Sequence, residues 1–476
     1  MLQKLKKHSD MELFRSLKDY RREDTIAAIA TYPAKSALGV IKISGSKALE
    51  IISKIFLPAK KKDIRKVKSY TLHYGWIVNP SKKEEIIDEV LVSIMRAPFS
   101  YTREDVVEIS SHGGLLVLNK ILELVLQEGA RLAKPGEFSW RAFINGRIDL
   151  LQAQSILDIV EAKTEKALFG ALRQLKGEVS SFFNNLKERI KDIYSETQAV
   201  IEFPEEEIEI DLKKLRKELK KINEEIEKIK ESSYWAKLVR EGINCVICGR
   251  TNVGKSTLFN SLLEEDIALV TKIAGTTRDV IGKSINVEGI PLNIYDTAGI
   301  LKTKSLIDKK AMERSFKKIE EADLIIFVFD YSRQLSKEDF SLLEKVKNKK
   351  VIYVINKIDL EKRIDLRRIS NFKPQIRVSA LKKIGLDKLR REIASLIKEK
   401  GVERENMIFL TQWQKEIIKK VDKKIKEIFK YLDENYSIDF VNFALREIID
   451  ELEKLVGVSL EEEVLKEIFS KFCIGK

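Results

Sequence analysis

Residues 243–260 read Ile-Asn-Cys-Val-Ile-Cys-Gly-Arg-Thr-Asn-Val-Gly-Lys-Ser-Thr-Leu-Phe-Asn, and this stretch decides the fold of the middle of the chain. An apolar run that ends at Cys248 leads into a glycine-rich segment, and a helical pattern follows. Such a strand, loop and helix form a P-loop, whose backbone N–H groups and helix N-terminus surround a pyrophosphate. We expect Lys255 to supply a charge for the outer phosphates and the Ser256 hydroxyl to bind Mg²⁺.

Four further motifs follow the P-loop. Gly-Thr-Thr-Arg-Asp at 275–279 offers Thr277 to complete the Mg²⁺ shell in the GTP state. Asp-Thr-Ala-Gly at 296–299 ends an apolar run, a position that suits a Mg²⁺-linked carboxylate and a glycine sensing the γ-phosphate. Asn-Lys-Ile-Asp at 356–359 ends another apolar run. Its aspartate can accept hydrogen bonds from N1–H and the 2-amino group of guanine, a pair of donors that adenine does not offer. Ser-Ala-Leu at 379–381 resembles the loop whose backbone N–H contacts guanine O6.

Together the five motifs resemble a Ras-like GTPase domain, so we predict that the chain binds GTP and GDP and hydrolyses GTP. The residues expected to contact the nucleotide are Asn252, Val253, Gly254, Lys255, Ser256, Thr257, Thr271, Lys272, Ile273, Ala274, Gly275, Thr276, Thr277, Asp296, Thr297, Ala298, Gly299, Asn356, Lys357, Asp359, Ser379, Ala380 and Leu381. Of these, Ser256 and Thr277 are expected to hold Mg²⁺.

Length and composition bound the number of domains and the class of partner. A chain of 476 residues is long enough for about three domains. The net charge of +14 and the sequence pI near 9.2 suit a polyanion such as RNA. Lysine and glutamate abound together and 34% of the residues are charged, so a lysine-rich proteome explains the charge equally well. The charge leaves both explanations open.

Three cysteines, Cys245, Cys248 and Cys473, exclude a disulfide framework and indicate a reducing compartment. Cys245 and Cys248 have the spacing of a zinc or redox pair, but they lie inside the strand before the P-loop, where residues three apart point to opposite faces. With no second cysteine pair and only three histidines, we predict that both are core residues. Residues 1–23 lack the apolar core of a secretion signal. They are predicted to be a disordered extension, or the result of a start assigned upstream of the true one, for which Met11 is a second candidate. Because no apolar run reaches the length of a membrane span, we expect a cytoplasmic protein.

Residues 24–143 are predicted to form an α+β domain. Short β-type runs lie at 26–29, 39–43 and 89–94. One amphipathic helix is predicted over Gly114–Gly129, and its apolar face is formed by Leu116, Leu118, Ile121, Leu122, Val125 and Leu126.

Two helical regions, 144–238 and 401–476, flank the GTPase unit at 239–400. We interpret them as one all-α domain into which the α/β Ras-like domain is inserted, since insertion suits domains whose termini lie close together at the surface. The first region is broken at Pro204. After the break, apolar residues recur at alternating steps of three and four, at Leu212, Leu215, Leu219, Ile222, Ile226 and Ile229. With fewer than four heptads, this stripe favours one long bundle helix, and a coiled coil is the alternative.

The two ends of the chain resemble a narrower family. The N-terminal stretches are Thr-Ile-Ala-Ala-Ile-Ala-Thr at 25–31, Gly-Val-Ile-Lys-Ile-Ser-Gly at 39–45, Glu-Asp-Val-Val-Glu-Ile at 104–109 with His-Gly-Gly at 112–114, and Ala-Lys-Pro-Gly-Glu-Phe-Ser-Trp-Arg-Ala-Phe-Ile-Asn at 133–145. With the final Phe-Cys-Ile-Gly-Lys at 472–476, they look like the MnmE (TrmE) family of tRNA-modifying GTPases. The resemblance implies an N-terminal domain that binds tetrahydrofolate and dimerises, and a Cys473 that is needed for tRNA modification.

The resemblance also implies how GTP is hydrolysed. Ile300 follows the Asp-Thr-Ala-Gly motif and cannot orient the attacking water as a glutamine does in Ras-like proteins. The P-loop asparagine and the loop at 271–276 resemble the family's potassium site, about where an arginine finger would reach. The implied K⁺ ligands are Asn252, Thr271, Ile273 and Thr276. The family's water-orienting glutamate corresponds to Asp308, which is one methylene shorter, and a helix N-cap is the alternative role for this residue.

Folate contacts carry over residue by residue. The positions that correspond to the family's folate-binding residues are Lys42, Glu108, Arg147 and Lys476. Lys42 and Arg147 keep the charge of the family's residue but change its donor geometry. The implied carbon donor is 5,10-methylenetetrahydrofolate, with 5-formyltetrahydrofolate as an analogue.

The predicted function is a potassium-dependent GTPase of tRNA modification. With an FAD-containing MnmG-like partner that uses NADH, it would add a carboxymethylaminomethyl-type group to C5 of the wobble uridine of certain tRNAs. The resemblance implies a homodimer through the N-terminal domain, a hetero-oligomer with that partner, and no membrane contact. GTP hydrolysis is expected to open and close the dimer. A ribosome-assembly GTPase switch is the alternative, and a folate-dependent methyl carrier with a regulatory GTPase is another.

Overall fold

The computed structural model describes residues 24–32, 34–203, 205, 210–270, 284–287, 289–296, 318–398, 408–457, 465, 468–473 and 475. Several predicted features lie outside them, namely the extension 1–23, Pro204, the loop 271–277, residues 297–300, Asp308, Lys476 and the side chain of Asp296. The chain divides into two compact units. One comprises the described residues within Met1–Leu157, Gln174–Ile222 and Glu416–Lys476, and the other those within Asp158–Arg173 and Asn223–Lys415.

The first unit contains a seven-stranded sheet. In chain order its strands are β1 (Ile26–Ile29), β2 (Leu38–Ser44), β3 (Phe56–Pro58), β4 (Thr71–Asn79), β5 (Lys82–Met95), β6 (Val106–His112) and β7 (Arg131–Leu132). The order in the sheet is β3-β4-β5-β6-β2-β1-β7, and every neighbouring pair is antiparallel except β1 and β7. The three predicted β-type runs lie in β1, β2 and β5, so these predictions are confirmed.

Helices α1 (Ala48–Ile55) and α2 (Leu115–Gln127) cover one face of this sheet. The alternation along β2 decides which of its side chains meet them. Ile41 and Ile43 are fully buried in the core under the helices. Lys42 lies between them in sequence and therefore points to the opposite face, together with Glu108, its register partner on β6.

The predicted helix Gly114–Gly129 is confirmed as α2. Leu118, Ile121 and Val125 are buried in the core. Leu116, however, is 72% exposed, so its assignment to the buried face is wrong. Because residues two apart in a helix are separated by about 200°, Leu116 lies nearly opposite Leu118 on the helix surface.

The other described α-helices are α3 (Glu137–Ile144), α4 (Leu150–Glu161), α5 (Glu165–Leu175), α6 (Glu178–Glu202), α7 (Leu212–Glu241), α8 (Lys255–Val270), α9 (Lys337–Val346), α10 (Leu386–Lys398), α11 (Gln412–Asp433) and α12 (Ile438–Leu455). Helix α6 ends at Glu202, and its C-cap Phe203 leaves the helical conformation directly before the predicted break at Pro204, which lies outside the described residues. The interpretation of the stripe as one long helix is confirmed by α7, which has 30 residues. From Leu215 to Ile229 the residues of the stripe are at most 5% exposed, but Leu212, in the first turn, is 50% exposed.

Helices from before and after the GTPase motifs pack together in the first unit. The Asn442 amide on α12 donates hydrogen bonds to Thr197 Oγ1 at 2.8 Å and to the Tyr194 carbonyl at 3.2 Å, both on α6. Lys191 on α6 forms an ion pair with Glu453 on α12 at 3.2 Å. The larger segment of the second unit, Asn223–Lys415, therefore lies in sequence between helices that contact one another, whereas its Asp158–Arg173 segment precedes α6.

The second unit contains a six-stranded sheet. Its strands are β8 (Ile243–Cys248), β9 (Ser284–Val287), β10 (Ile290–Asp296), β11 (Leu324–Asp330), β12 (Val351–Asn356) and β13 (Gln375–Arg377). The order in the sheet is β13-β12-β11-β8-β10-β9, in which only β9 pairs antiparallel. A largely parallel sheet with intervening helices is the α/β architecture that the motifs predict.

The strand before the P-loop is buried on both faces. Cys245 and Ile247 pack in one apolar cluster, and Val246 and Cys248 pack in the other. The prediction that both cysteines are core residues is thus confirmed. Burial raises the pKa of both thiols, that of Cys248 to about 12, so neither is a thiolate at neutral pH. None of the described helices is long and apolar enough to cross a membrane.

Candidate functional site

The nucleotide motifs within the described residues lie at one edge of the second sheet. Because β8, β10, β12 and β13 run parallel, the segments that follow them emerge at the same edge. Gly249 follows β8, Asn356 ends β12, and Val378 follows β13. Asp296, the last residue of β10, pairs with Ile247 of β8, so the Asp-Thr-Ala-Gly motif starts beside the P-loop strand. The carboxyl edge of such sheets is where α/β proteins bind ligands.

Two glycines let the P-loop approach the sheet closely. Gly249 has φ +141°, and a Cβ on it would lie 2.4 Å from the Val328 carbonyl oxygen. Gly254 has φ +93°, and a Cβ there would lie 2.3 Å from Asn356 Nδ2. Any side chain at either position would meet both left-handed strain and a collision. The loop therefore takes its shape from these two residues.

Lys255 places a positive charge inside the loop. It is the first residue of α8 and only 4% exposed. Its Nζ donates hydrogen bonds to the carbonyl oxygens of Gly249 and Arg250, each at 2.8 Å. Ser256 and Thr257 follow in the first helical turn and are exposed. A buried cation at a helix N-terminus, with hydroxyls beside it, is suited to bind phosphate and a divalent cation.

Asn356 joins the P-loop to the predicted guanine-recognition loop. Its Nδ2 donates a hydrogen bond to the Val253 carbonyl at 2.9 Å, and its Oδ1 accepts one from the Ala380 N–H at 3.0 Å. The Ser261 hydroxyl on α8 donates to the Ala380 carbonyl at 2.7 Å. These buried bonds fix the two loops against each other.

Lys357 ties the same motif to the P-loop from the other side. Its Nζ donates to the Asn252 carbonyl at 2.6 Å and to Asp330 Oδ2 at 2.8 Å. Burial acts to raise the pKa of Asp330, but hydrogen bonds from Lys357 and Ser332 outweigh it and hold that pKa below its usual range. Asp330 therefore stays ionised and anchors the lysine.

Asp359 has the charge state that guanine recognition requires. The Ser379 hydroxyl donates to Asp359 Oδ1 at 2.6 Å, and this bond is the main cause of the lowered pKa of Asp359. Ser379 is fully buried, and its hydroxyl also accepts from the Lys382 N–H at 3.2 Å. Leu381, in contrast, is 77% exposed. An ionised, oriented carboxylate can accept from two guanine donors.

Two of the predicted folate residues, Lys42 and Glu108, meet on the face of the first sheet away from α1 and α2. Lys42 and Glu108 are register partners on β2 and β6, with 3.6 Å between Nζ and Oε1. The Lys42 ammonium also lies 5.6 Å from the ring centroid of Tyr101 and 5.5 Å from that of Phe138. The Tyr101 hydroxyl is 2.8 Å from Ser139 Oγ. This group holds both charges and two aromatic rings.

The third predicted folate residue, Arg147, acts on the same tyrosine. Burial raises the pKa of Tyr101, while the Ser139 hydroxyl and the charge of Arg147 act in the opposite direction. Lys476 lies outside the described residues. Cys473, three residues before it, is exposed, and its carbonyl accepts a long 3.5 Å hydrogen bond from the Gly136 N–H.

Comparison with known proteins identifies the family. The N-terminus of the GTP-binding protein TrmE matches residues 25–147, and the MnmE helical domain matches residues 150–473. A protein of Thermoanaerobacter pseudethanolicus named tRNA modification GTPase MnmE is 46% identical over 458 residues, which cover 95% of this chain and 99% of that protein. The chain belongs to the MnmE family.

Two further matches are a second MnmE relative and a solved structure. A Bacillus subtilis protein of the same name is 40% identical over 460 residues, covering 95% of this chain and 100% of that protein. A crystal structure of Aquifex aeolicus Era bound to GDP and AlF4⁻ is 28% identical, covers 39% of this chain and 67% of that chain, and has a TM-score of 0.28. Both MnmE relatives match over 95% of this chain, so the family confirms the predicted GTPase of tRNA modification.

Several residues around these MnmE sites escape sequence reasoning. Asp330 follows a run of six buried apolar residues in β11, and a carboxylate in that position is a signal that could have found it. Ser261 has no such signal, because its partner Ala380 is 119 residues away in sequence. Tyr101 and Phe138 are likewise found only through the register that places Lys42 beside them.

Proposed function

We propose that this MnmE family member couples GTP hydrolysis to modification of the wobble uridine of certain tRNAs. It works with an FAD-containing MnmG-like partner that takes electrons from NADH, and together they add a carboxymethylaminomethyl-type group to uridine C5. The main support is that one chain combines a guanine-recognition edge built on Asp359 with an aromatic, charged cluster built on Lys42 and Glu108. A ribosome-assembly switch requires the guanine-recognition edge but does not require the aromatic, charged cluster.

The P-loop residues are assigned to GTP and Mg²⁺. Lys255 offsets the charge of the outer phosphates from inside the loop, where its Nζ is already held by two carbonyls. The Ser256 hydroxyl and Thr277 are proposed to bind Mg²⁺, since hard oxygen donors suit that ion. Asp359 accepts from the guanine edge, and its lowered pKa keeps it ionised for that purpose.

A potassium ion is proposed to take the place of an arginine finger. Asn252 adopts φ +64° in the P-loop, and its backbone carbonyl already accepts from Lys357. This bond fixes the residue, and its exposed side-chain amide is proposed as one oxygen ligand of K⁺. The remaining ligands are proposed to come from the loop, at Thr271, Ile273 and Thr276.

Water activation needs a residue other than the one after the Asp-Thr-Ala-Gly motif. Ile300 has no polar side-chain atom. Asp308 is proposed to orient the attacking water, and a helix N-cap is the competing role for this residue.

The cluster on the first sheet is assigned to 5,10-methylenetetrahydrofolate. Lys42 and Arg147 are cations suited to folate carboxylates, and the Glu108 carboxylate suits the N–H groups of a pterin ring. Tyr101 and Phe138 lie within 5.6 Å of Lys42 Nζ and add aromatic surface, so the residues present fit such a ligand. When bound, the folate supplies the one-carbon unit. Lys476 is proposed to complete the site.

The homodimer is proposed to form through the N-terminal domain. One face of the strand pair β4 and β5 leaves apolar side chains exposed, with Leu72 at 60%, Tyr74 at 46% and Leu91 at 40%. Tyr74 and Leu91 are register partners, so these side chains form one continuous patch. A patch of this kind on an antiparallel sheet is suited to contact a second copy of the chain.

A reconstituted assay tests the proposal. With the MnmG-like partner, FAD, NADH, methylenetetrahydrofolate, GTP, K⁺ and unmodified tRNA, we expect the wild-type chain to produce the modified nucleoside. Cys473→Ser should retain GTP hydrolysis and lose modification, because the thiol belongs to the tail and not to the nucleotide edge. Ser470→Ala, an exposed change in the same segment, serves as the control. Normal modification by Cys473→Ser would show that the thiol has no part in the reaction.

A further inference from the structure

Helix α3 forms one wall of the proposed folate cluster. Phe138 in its first turn presents its ring to Lys42 Nζ at 5.5 Å. The next residue, Ser139, bonds the Tyr101 hydroxyl at 2.8 Å. Any shift of this helix would therefore move two side chains of the cluster.

The C-terminal tail packs on the same helix. The Phe469 ring lies 5.4 Å from that of Trp140 in an edge-to-face arrangement and 5.9 Å from that of Phe143, and it stacks on Phe472 at 5.3 Å. Phe469 and Phe472 are each 3% exposed, whereas Cys473 is exposed. The aromatic contacts thus anchor the tail immediately before its thiol.

Gly136, the N-cap of α3, is the point of closest approach between helix and tail. It has φ +71°, and a Cβ on it would lie 2.2 Å from the Phe469 carbonyl oxygen and 3.1 Å from Phe472 Cβ. Its N–H also faces the Cys473 carbonyl. The tail backbone can take this path only because residue 136 has no side chain.

The tail then continues toward the strand next to Lys42. A Cβ on Gly475, which has φ +92°, would lie 2.6 Å from the Cα of Ala30, directly after β1. On β1, Ala28 is the register partner of Lys42. The segment that carries Cys473 is therefore held at one end by α3 and at the other by β1, and both elements border the cluster.

We infer that Gly136 and Trp140 are positioning residues that set the Cys473 thiol at the Lys42–Glu108 cluster. Neither residue is assigned to the folate; each acts on the tail, Gly136 through backbone clearance and Trp140 through its ring contact with Phe469. The inference rests on the proposed function, in which Cys473 takes part in tRNA modification and the Lys42–Glu108 cluster binds the folate.

Alkylation of Cys473 by iodoacetamide provides a readout separate from activity. Cys245 and Cys248 are buried with raised pKa values, so in the folded protein the reagent reports Cys473. We expect 5-formyltetrahydrofolate to slow alkylation severalfold in the wild-type chain and to have no effect in Gly136→Ala. For modification by Gly136→Ala, kcat should fall on the order of 10²-fold, as for a misplacement of about 1 Å, with the KM for methylenetetrahydrofolate unchanged.

Gly129→Ala is the matched control, because Gly129 has φ +110° but nothing within 4 Å of an added Cβ. It carries the same kind of backbone strain without touching the tail. If Gly136→Ala does not fold, Trp140→Ala replaces it, and Trp140→Phe should restore protection and kcat.

The possible outcomes separate the inference from the proposed function. The positioning role alone would be overturned if Gly136→Ala or Trp140→Ala showed the same protection and the same kcat as the Gly129→Ala control. Absence of protection in the wild-type chain would instead overturn the placement of the thiol at the folate cluster, and the inference with it.

Discussion

At the scale of single residues, the guanine-recognition motif depends on side chains that hold one another. Asn356 bonds both the P-loop and Ala380, Lys357 is anchored by Asp330, and Asp359 is oriented by Ser379. The motif is therefore a network whose members have different tasks. In it, Asp359 is assigned to the base, and the other residues set its position.

Guanine selectivity is expected to change in Asp359→Asn. The Ser379 hydroxyl can still donate to the amide oxygen, so the side chain keeps its orientation. The amide cannot accept from both guanine donors, and hydrogen bonds to charged groups are worth about 1.5–3 kcal/mol each. GTP affinity should fall at least about tenfold while xanthosine triphosphate becomes the preferred ligand.

Equilibrium binding of both nucleotides checks this selectivity. Asp387→Asn, an exposed aspartate in the first turn of α10, is the control and should bind GTP as the wild type does. Unchanged GTP preference in Asp359→Asn would show that another residue reads the base.

The potassium assignment also belongs to the residue scale. Hydrolysis is expected to be fast in K⁺ and slow in Na⁺, since in comparable systems an arginine finger is worth on the order of 10³–10⁵ in rate. Asn252→Ala should remove the difference while GTP still binds through Lys255. Asp308→Ala should slow hydrolysis and leave its K⁺ dependence intact, because Asp308 is assigned to the water and not to the cation.

Single-turnover hydrolysis in the two salts is the measurement. Thr251→Ala, an exposed neighbour in the same loop, should keep the K⁺ dependence. Equal wild-type rates in K⁺ and Na⁺ would remove the potassium site, and a fully active Asp308→Ala would return that residue to its capping role.

At the scale of elements, the strand pair β4 and β5 combines a core face with an exposed apolar face. Ile77, Val90 and Val92 point into the core and are at most 2% exposed, whereas Tyr74 and Leu91 point outward. Strand alternation explains the inward set. The outward set has no role in the unit's own core, which is why we assign it to the dimer.

A charge in this patch is expected to separate the protomers. Leu91→Lys places an ammonium where apolar surfaces would meet, and its desolvation opposes association. Sedimentation analysis should show a lighter species than for the wild type at equal concentration. Leu116→Lys is the matched control, because the Leu116 side chain is 72% exposed on the outer side of α2. This change should not alter the sedimentation. A dimer that persists in Leu91→Lys would move the interface elsewhere.

At the scale of the whole molecule, sequence patterns predict those elements whose structure depends on residues close together in the chain. The P-loop, the buried parallel strands and the long helix α7 each follow from spacing within a short stretch of sequence. The cluster around Lys42 does not, because Tyr101 and Phe138 reach it through sheet register and the packing of α3. Leu116 shows a limit even within one helix, since its apolar character does not tell on which side it lies.

We propose that this chain is required, with both its sites, to modify wobble uridines. Mass spectrometry of tRNA nucleosides from a strain that lacks the protein tests it most directly. We predict that the carboxymethylaminomethyl-type wobble nucleoside disappears, that the wild-type chain restores it, and that neither Lys255→Ala nor Cys473→Ser does. A wobble nucleoside profile that is unchanged without the protein would contradict the account.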